Sequence, residues 1–132
     1  MKSPLAWFLA VAMVTTIVSP AAAFDLEGLW TTNAANCSKV FVRSGSQITL
    51  AEDSDIYGGG FVVQGNTIRG KIAKCTIKSR KVDGSSLHLL TSCATDVMLS
   101  NTPFDVTFKD ENTLSRVFPG DADMSETYYR CS

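Results

Sequence analysis

The chain has 132 residues, with 12 Lys and Arg against 13 Asp and Glu, one His and four Cys. A charge so close to neutral excludes a polyanion binder that acts through bulk attraction. The length allows a single domain, small enough that its core alone gives modest stability.

The N-terminus carries Lys2, the apolar run Leu5 to Val18, then Ser19-Pro20 and the small residues Ala21-Ala22-Ala23. This is the charged, hydrophobic and cleavage-site order of a secretory signal peptide. The run holds 14 residues, whereas a membrane-spanning helix needs about 20. Residues 1–23 are therefore expected to be removed, leaving residues 24–132 as one exported domain, periplasmic or secreted, with no transmembrane segment. A lipid-anchored form would need a cysteine at the cleavage point, and the first is Cys37. With Lys2 gone, 11 basic residues face 13 acidic ones.

From Trp30 onward, short alternating segments are broken by turn residues, and no long stretch has a helical period. The pattern is all-β. Strands are expected near Leu29 to Thr32, Lys39 to Arg43, Gln47 to Glu52, Gly60 to Gln64, Thr67 to Arg80, Ser86 to Thr95, Pro103 to Lys109, Thr113 to Phe118 and Glu126 to Cys131. Between them lie the turn groups Ser44-Gly45, Gly65-Asn66, Asp83-Gly84, Lys109 to Asn112 and Pro119-Gly120-Asp121, which supply the backbone freedom or fixed φ that turns require. Consecutive strands joined by such turns suit a small antiparallel up-and-down barrel of about eight strands, which closes on itself and leaves no exposed edge. A two-sheet sandwich is the alternative.

All four cysteines lie beyond residue 23, and an even number in an exported chain indicates two disulfides. Cys75 and Cys93 stand nine residues either side of Gly84, so a hairpin turning there brings them opposite each other. Cys37 is then left to pair with Cys131, tying the start of the domain to its end. A four-cysteine zinc site would need short paired spacings, and none occurs, so no metal and no cofactor is expected.

Gly28-Leu29-Trp30 opens the first strand and resembles the Gly-x-Trp signature of the calycins, the superfamily of lipocalins and avidins. The resemblance implies that Trp30 closes one end of a barrel and packs against an arginine from late in the chain. Arg116 and Arg130 are the candidates. Arg116 stands two residues from both Leu114 and Phe118, and strand alternation points it inward with them; Arg130 shares a face with Tyr128. The chain is also similar to the small exported barrels of bacterial envelopes, including periplasmic lysozyme inhibitors, but carries no stretch matching the inhibitors' recognition motif.

The most unusual segment holds Arg69, Lys71, Lys74, Lys78, Arg80 and Lys81 without an acidic residue among them. Alternation places Ile68 and Ile72 on the opposite face, with a bulge near Ala73, and makes the basic residues a stripe along one long strand. Such a stripe suits an acidic partner, although a solvated outer face accounts for the same residues. No aromatics interleave with it, which argues against nucleic acid. His88 is expected opposite Arg80 on the outer face, without the orienting carboxylate that a general base requires. No Gly-x-Ser-x-Gly elbow occurs. Asp121 to Glu126 departs from a calcium loop at the glycine and final glutamate positions and reads as a polar turn.

The expected inward set, including Val40, Val42, Ile48, Leu50, Ile72, Leu89, Phe104 and Phe118, is bulky enough to fill a small barrel. The expectation is a non-enzymatic binding or interaction module of the cell envelope or periplasm, with no catalytic residue, meeting a macromolecular partner through its loops and basic strand face. The alternative is a lipocalin-like carrier of a small apolar ligand.

Overall fold

A computed structural model describes residues 11–16, 24–118 and 120–132. The expected signal segment, residues 1–23, lies outside the described residues except for 11–16, which are exposed and form neither helix nor strand. Pro119, in the last expected turn, is also outside them.

The chain is all-β. Among the described residues ten strands form: β1 Gly28–Thr31, β2 Phe41–Ser44, β3 Gln47–Leu50, β4 Gly60–Gln64, β5 Thr67–Arg69, β6 Lys74–Asp83, β7 Ser86–Ala94, β8 Leu99–Asp110, β9 Thr113–Phe118 and β10 Asp121–Cys131, with one short helix, α1 Cys37–Val40. Eight strands close into an antiparallel barrel in the order β1-β10-β9-β8-β7-β6-β5-β4, while β2 and β3 form a separate hairpin. From β4 to β10 the barrel is a meander of hairpins. A long excursion, residues 32–59, runs between β1 and β4, which are themselves paired at Leu29↔Val62 and Trp30↔Phe61. The seam closes where Leu29 faces Cys131 and Trp30 faces Arg130.

Alternation along these strands sorts the apolar residues into two cores. Trp30, Phe61, Val63, Ile68, Leu87, Leu89, Phe104, Val106, Phe108 and Leu114 are buried in the barrel interior. At about 1.5–3 kcal/mol for each large apolar side chain removed from water, this set is the main drive to close the barrel. Outside the wall, Val40, Phe41, Val62 and Cys131 are buried together, with Leu29, Cys37, Ile48, Leu50 and Tyr57 packed against them. The excursion is thus folded onto the outer face of β1 and β4.

Both disulfides form, Cys37–Cys131 and Cys75–Cys93. The second lies at the pair Cys75↔Cys93, but the turn below it centres between Gly84 and Ser85, since Asp83 faces Ser86. One extra residue in β6, where the register shifts between Ile77 and Ser79, reconciles the two. It is a β-bulge, inserted into one strand only.

Several local expectations are corrected. Lys39 to Arg43 is not one strand. Asn33 accepts a hydrogen bond from the Ala35 amide, Asn36 Nδ2 donates to Tyr57 O, and the chain turns helically through Cys37–Val40 before extending at Phe41. Val40, Ile48 and Leu50 pack outside the barrel rather than inside it, and Val42 is exposed. Thr67 to Arg80 is divided at residues 70–73, where the Gly70 amide donates to Ala73 O at 2.9 Å, so the break is a turn and not a bulge, and Ile72 stands exposed at its tip. Asp121 to Glu126 belongs to β10, not to a turn, with a register shift between Asp121 and Ser125. β8 begins four residues before Pro103, which faces Leu90 without ending the strand.

Candidate interaction site at the open end of the barrel

The two ends of the barrel differ. At the first end lie the start of β1, the close of β10, and the hairpin turns at Gly65, Gly84 and Glu111-Asn112. Trp30 is fully buried there, and its Nε1 donates to Leu26 O at 2.8 Å. Arg130, not Arg116, covers it, with Cζ 4.4 Å from the ring centroid. The Arg130 guanidinium also donates to three backbone carbonyls, those of Asp25 at 2.6 Å, Glu111 at 2.9 Å and Glu27. Gly28 has φ +131°, and a Cβ there would stand 2.9 Å from Arg130 Nη1, so the glycine makes room for the arginine. Alternation does put Arg116 inward, but β9 starts at Thr113 and carries Arg116 toward the other end.

That other end is open. It is ringed by the turn at residues 70–73, the β7–β8 turn through Asp96 and Val97, the β9–β10 turn at Gly120, and the short 3-10 turn Ser54–Tyr57 that leads into β4. Lys71 Nζ donates to Asp55 Oδ1 at 2.6 Å and fastens two of these segments together. This hydrogen bond holds the Asp55 carboxyl below its ordinary value of 3.8. Ile56, Ile72, Val97, Met98, Leu99 and Met124 all stand on these segments or beside them, and each is 57–91% exposed. Six large apolar side chains are thus held in water on segments at one end of a small barrel, and exposed apolar surface of that kind marks an interaction site.

Inside the ring is a cavity of about 130 Å³ whose lining includes Phe61, Thr91, Phe104, Arg116 and Tyr128. Thr91 is buried, and its hydroxyl donates to Thr102 O at 2.7 Å. Arg116 lies against two rings, with Cζ 4.2 Å from the Phe104 centroid and 4.8 Å from that of Phe118. Its Nε is buried without a hydrogen-bond partner. Tyr128 donates its hydroxyl to Glu126 Oε2 at 3.2 Å. Burial raises the Tyr128 pKa above 10.0, and the negative charge of Glu126 raises it further.

The basic residues are dispersed. Arg69 faces Val62 across the β4–β5 ladder, and its Nε is also buried without a partner. Lys71 is at the open end, bound to Asp55. Lys74 and Lys78 are exposed on the outer wall. Arg80 reaches Gly65 O at the closed end, at 3.3 Å, and Lys81 faces His88. The turn at 70–73 and the bulge at Lys78 interrupt what alternation had drawn as one stripe. The bulge also moves His88 from Arg80 to Lys81, and β8 supplies the carboxylate expected to be absent: His88 Nδ1 lies 2.9 Å from Asp105 Oδ1. The pair is on the outer wall, away from the mouth cavity. A second, shallower groove of about 270 Å³ lies between the β2–β3 hairpin and the wall, lined by Leu29, Phe41, Ile48 and the Cys37–Cys131 bridge among others.

Sequence reasoning missed the apolar ring. Its signal was present in Val97-Met98-Leu99, three apolar residues directly after the polar turn Thr95-Asp96, where alternation in a half-buried strand would have interrupted them. Among the described residues no helix is long and apolar enough to cross a membrane, and no cluster of His, Cys, Asp and Glu could hold a metal ion. Compared with known family models, curated proteins and solved structures, the chain matches none.

Proposed function

We propose that this chain is an exported, non-enzymatic interaction module on a calycin-like barrel, meeting a macromolecular partner with the open end of that barrel. The observation that carries the reading is the concentration of exposed apolar residues on the segments around one mouth. Six lie there, against Phe24 and Val82 at the opposite end, which is sealed by Trp30 and Arg130. The calycin resemblance is supported by the Gly28-x-Trp30 pair with Arg130 stacked on the indole. Export is supported by the order of residues 1–23 and by two disulfides, which persist in oxidising compartments. A carrier of a large apolar ligand is less well supported, because the interior is filled and the mouth cavity of about 130 Å³ falls below the roughly 300–1,000 Å³ typical of ligand pockets.

The test is photo-crosslinking in the native host with a photoreactive amino acid placed at Leu99 or Val97, and at Lys78 or Thr76 for comparison. Discrete adducts from the first pair and none from the second are expected. Adducts only from Lys78 would move the contact to the basic strand face and overturn the assignment to the mouth.

A further inference from the structure

We propose that the mouth cavity is a recognition site for a carboxylate carried on a short apolar stem, a group about the size of benzoate. The cavity of about 130 Å³ is close to the roughly 150 Å³ apolar cavity known to take up benzene. Its walls are chiefly apolar and aromatic, with one cation, Arg116, among them. Contacts with Phe104 and Phe118 restrain that guanidinium, so less of its freedom remains to be lost when a ligand arrives. Neither ion pair formed among the described residues involves it, its Nε has no acceptor, and it acts on the Tyr128 hydroxyl by hydrogen bond and charge.

Glu126, directly across the β9–β10 ladder from Arg116, is engaged by the Tyr128 hydroxyl instead. Among the described residues the guanidinium is thus restrained, partly desolvated and without a carboxylate partner. A planar fork of N–H donors in that state fits a carboxylate. A phosphate dianion fits less well, because it would bring two negative charges to a single cation beside Glu126. The site lies within the ring proposed above for docking, but it rests on Arg116 and the cavity alone.

The experiment titrates the isotopically labelled protein, purified as exported by its host, with benzoate and separately with benzamide, following backbone amide signals. The two ligands match in shape and differ in charge. Benzoate is expected to shift the signals of Thr91, Arg116 and Tyr128 saturably, with benzamide at least about tenfold weaker, since a charge-assisted hydrogen bond exceeds a neutral one by that order. Arg116→Met should remove the preference for the acid. The acid-to-amide comparison on the unaltered protein stands even if that variant fails to fold. A dipeptide ending in Phe, as the free acid and as the amide, distinguishes the source: tighter binding of the peptide acid names a chain terminus, and tighter binding of benzoate names a free small acid. Equal affinity for benzoate and benzamide, or shifts confined to residues outside the cavity, would overturn the proposal. Neither result depends on what crosslinking at Leu99 finds.

Discussion

Two arginines lie against aromatic rings in this barrel, and replacing each by Met should have opposite consequences. Methionine keeps an unbranched stem in place while removing the charge and the donors. Arg130→Met abolishes a stacking contact of 4.4 Å with Trp30, worth about 0.5–2 kcal/mol. It also removes donors from the carbonyls of Asp25, Glu27 and Glu111. Hydrogen bonds to charged groups contribute about 1.5–3 kcal/mol each when buried, but this end of the barrel is wet and water can replace much of them. A net loss of about 2–3 kcal/mol is expected. For a domain of this size each kcal/mol moves the melting temperature by about 4–8 °C, so the midpoint should fall by roughly 8–24 °C. Arg116→Met removes a guanidinium whose Nε already lacks a partner. That variant should therefore change the midpoint by no more than about 4 °C in either direction, the loss of ring contacts being offset by relief of desolvation. Differential scanning calorimetry of the two variants decides the matter. If Arg116→Met is as destabilising as Arg130→Met, the division between a structural and an unsatisfied arginine is wrong.

Gly28→Ala places a side chain at φ +131° and 2.9 Å from Arg130 Nη1, and should cost about 1–3 kcal/mol in urea unfolding, with an unchanged dependence on denaturant. Of the two disulfides, Cys37–Cys131 spans 94 residues and Cys75–Cys93 spans 18; chain-entropy estimates of about 4–5 and 3 kcal/mol predict that the double alanine variant of the first melts lower. Asp55 has its pKa lowered by Lys71, so the contribution of the pair is present above the unfolded value of about 3.8 and disappears as pH falls through the lower folded value. Relaxation measurements should show the turn at 70–73 gaining mobility in acid, and Asp55→Asn should show that mobility already at neutral pH.

Much of the architecture is legible in the sequence because the barrel from β4 to β10 is built of hairpins, whose alternation and turn residues are local signals. Gly65 and Gly84 each mark a turn, and Cys75 and Cys93 mark a register. The sequence is less informative where a second surface competes for apolar residues. Val40, Ile48 and Leu50 alternate as barrel residues do, but a strand pattern does not say which side of a wall it will cover. Nor does the pattern reveal a one-residue bulge, which leaves composition unchanged and yet moves every partner beyond it, as it moved His88. The open end was hidden for a different reason: Ile56, Ile72 and Met124 are far apart in the chain, and only the barrel topology brings the segments that carry them to one end.

The barrel's seam also sets the order in which the chain can be finished. β1 precedes β4 to β9 in the chain, yet one of its two neighbours, β10, follows them all. On this topology the Cys37–Cys131 bridge is expected to close after β4 to β9 have assembled by local steps, which close faster than distant ones. During that interval the thiols able to trap Cys37 wrongly are those of Cys75 and Cys93. Their own bridge spans only one hairpin, and on this topology it closes early and withdraws both from exchange. Of the four cysteines, Cys131 is then left for Cys37 when β10 arrives. The short disulfide thus acts as a safeguard for the long one, and the seam closes with its correct partner.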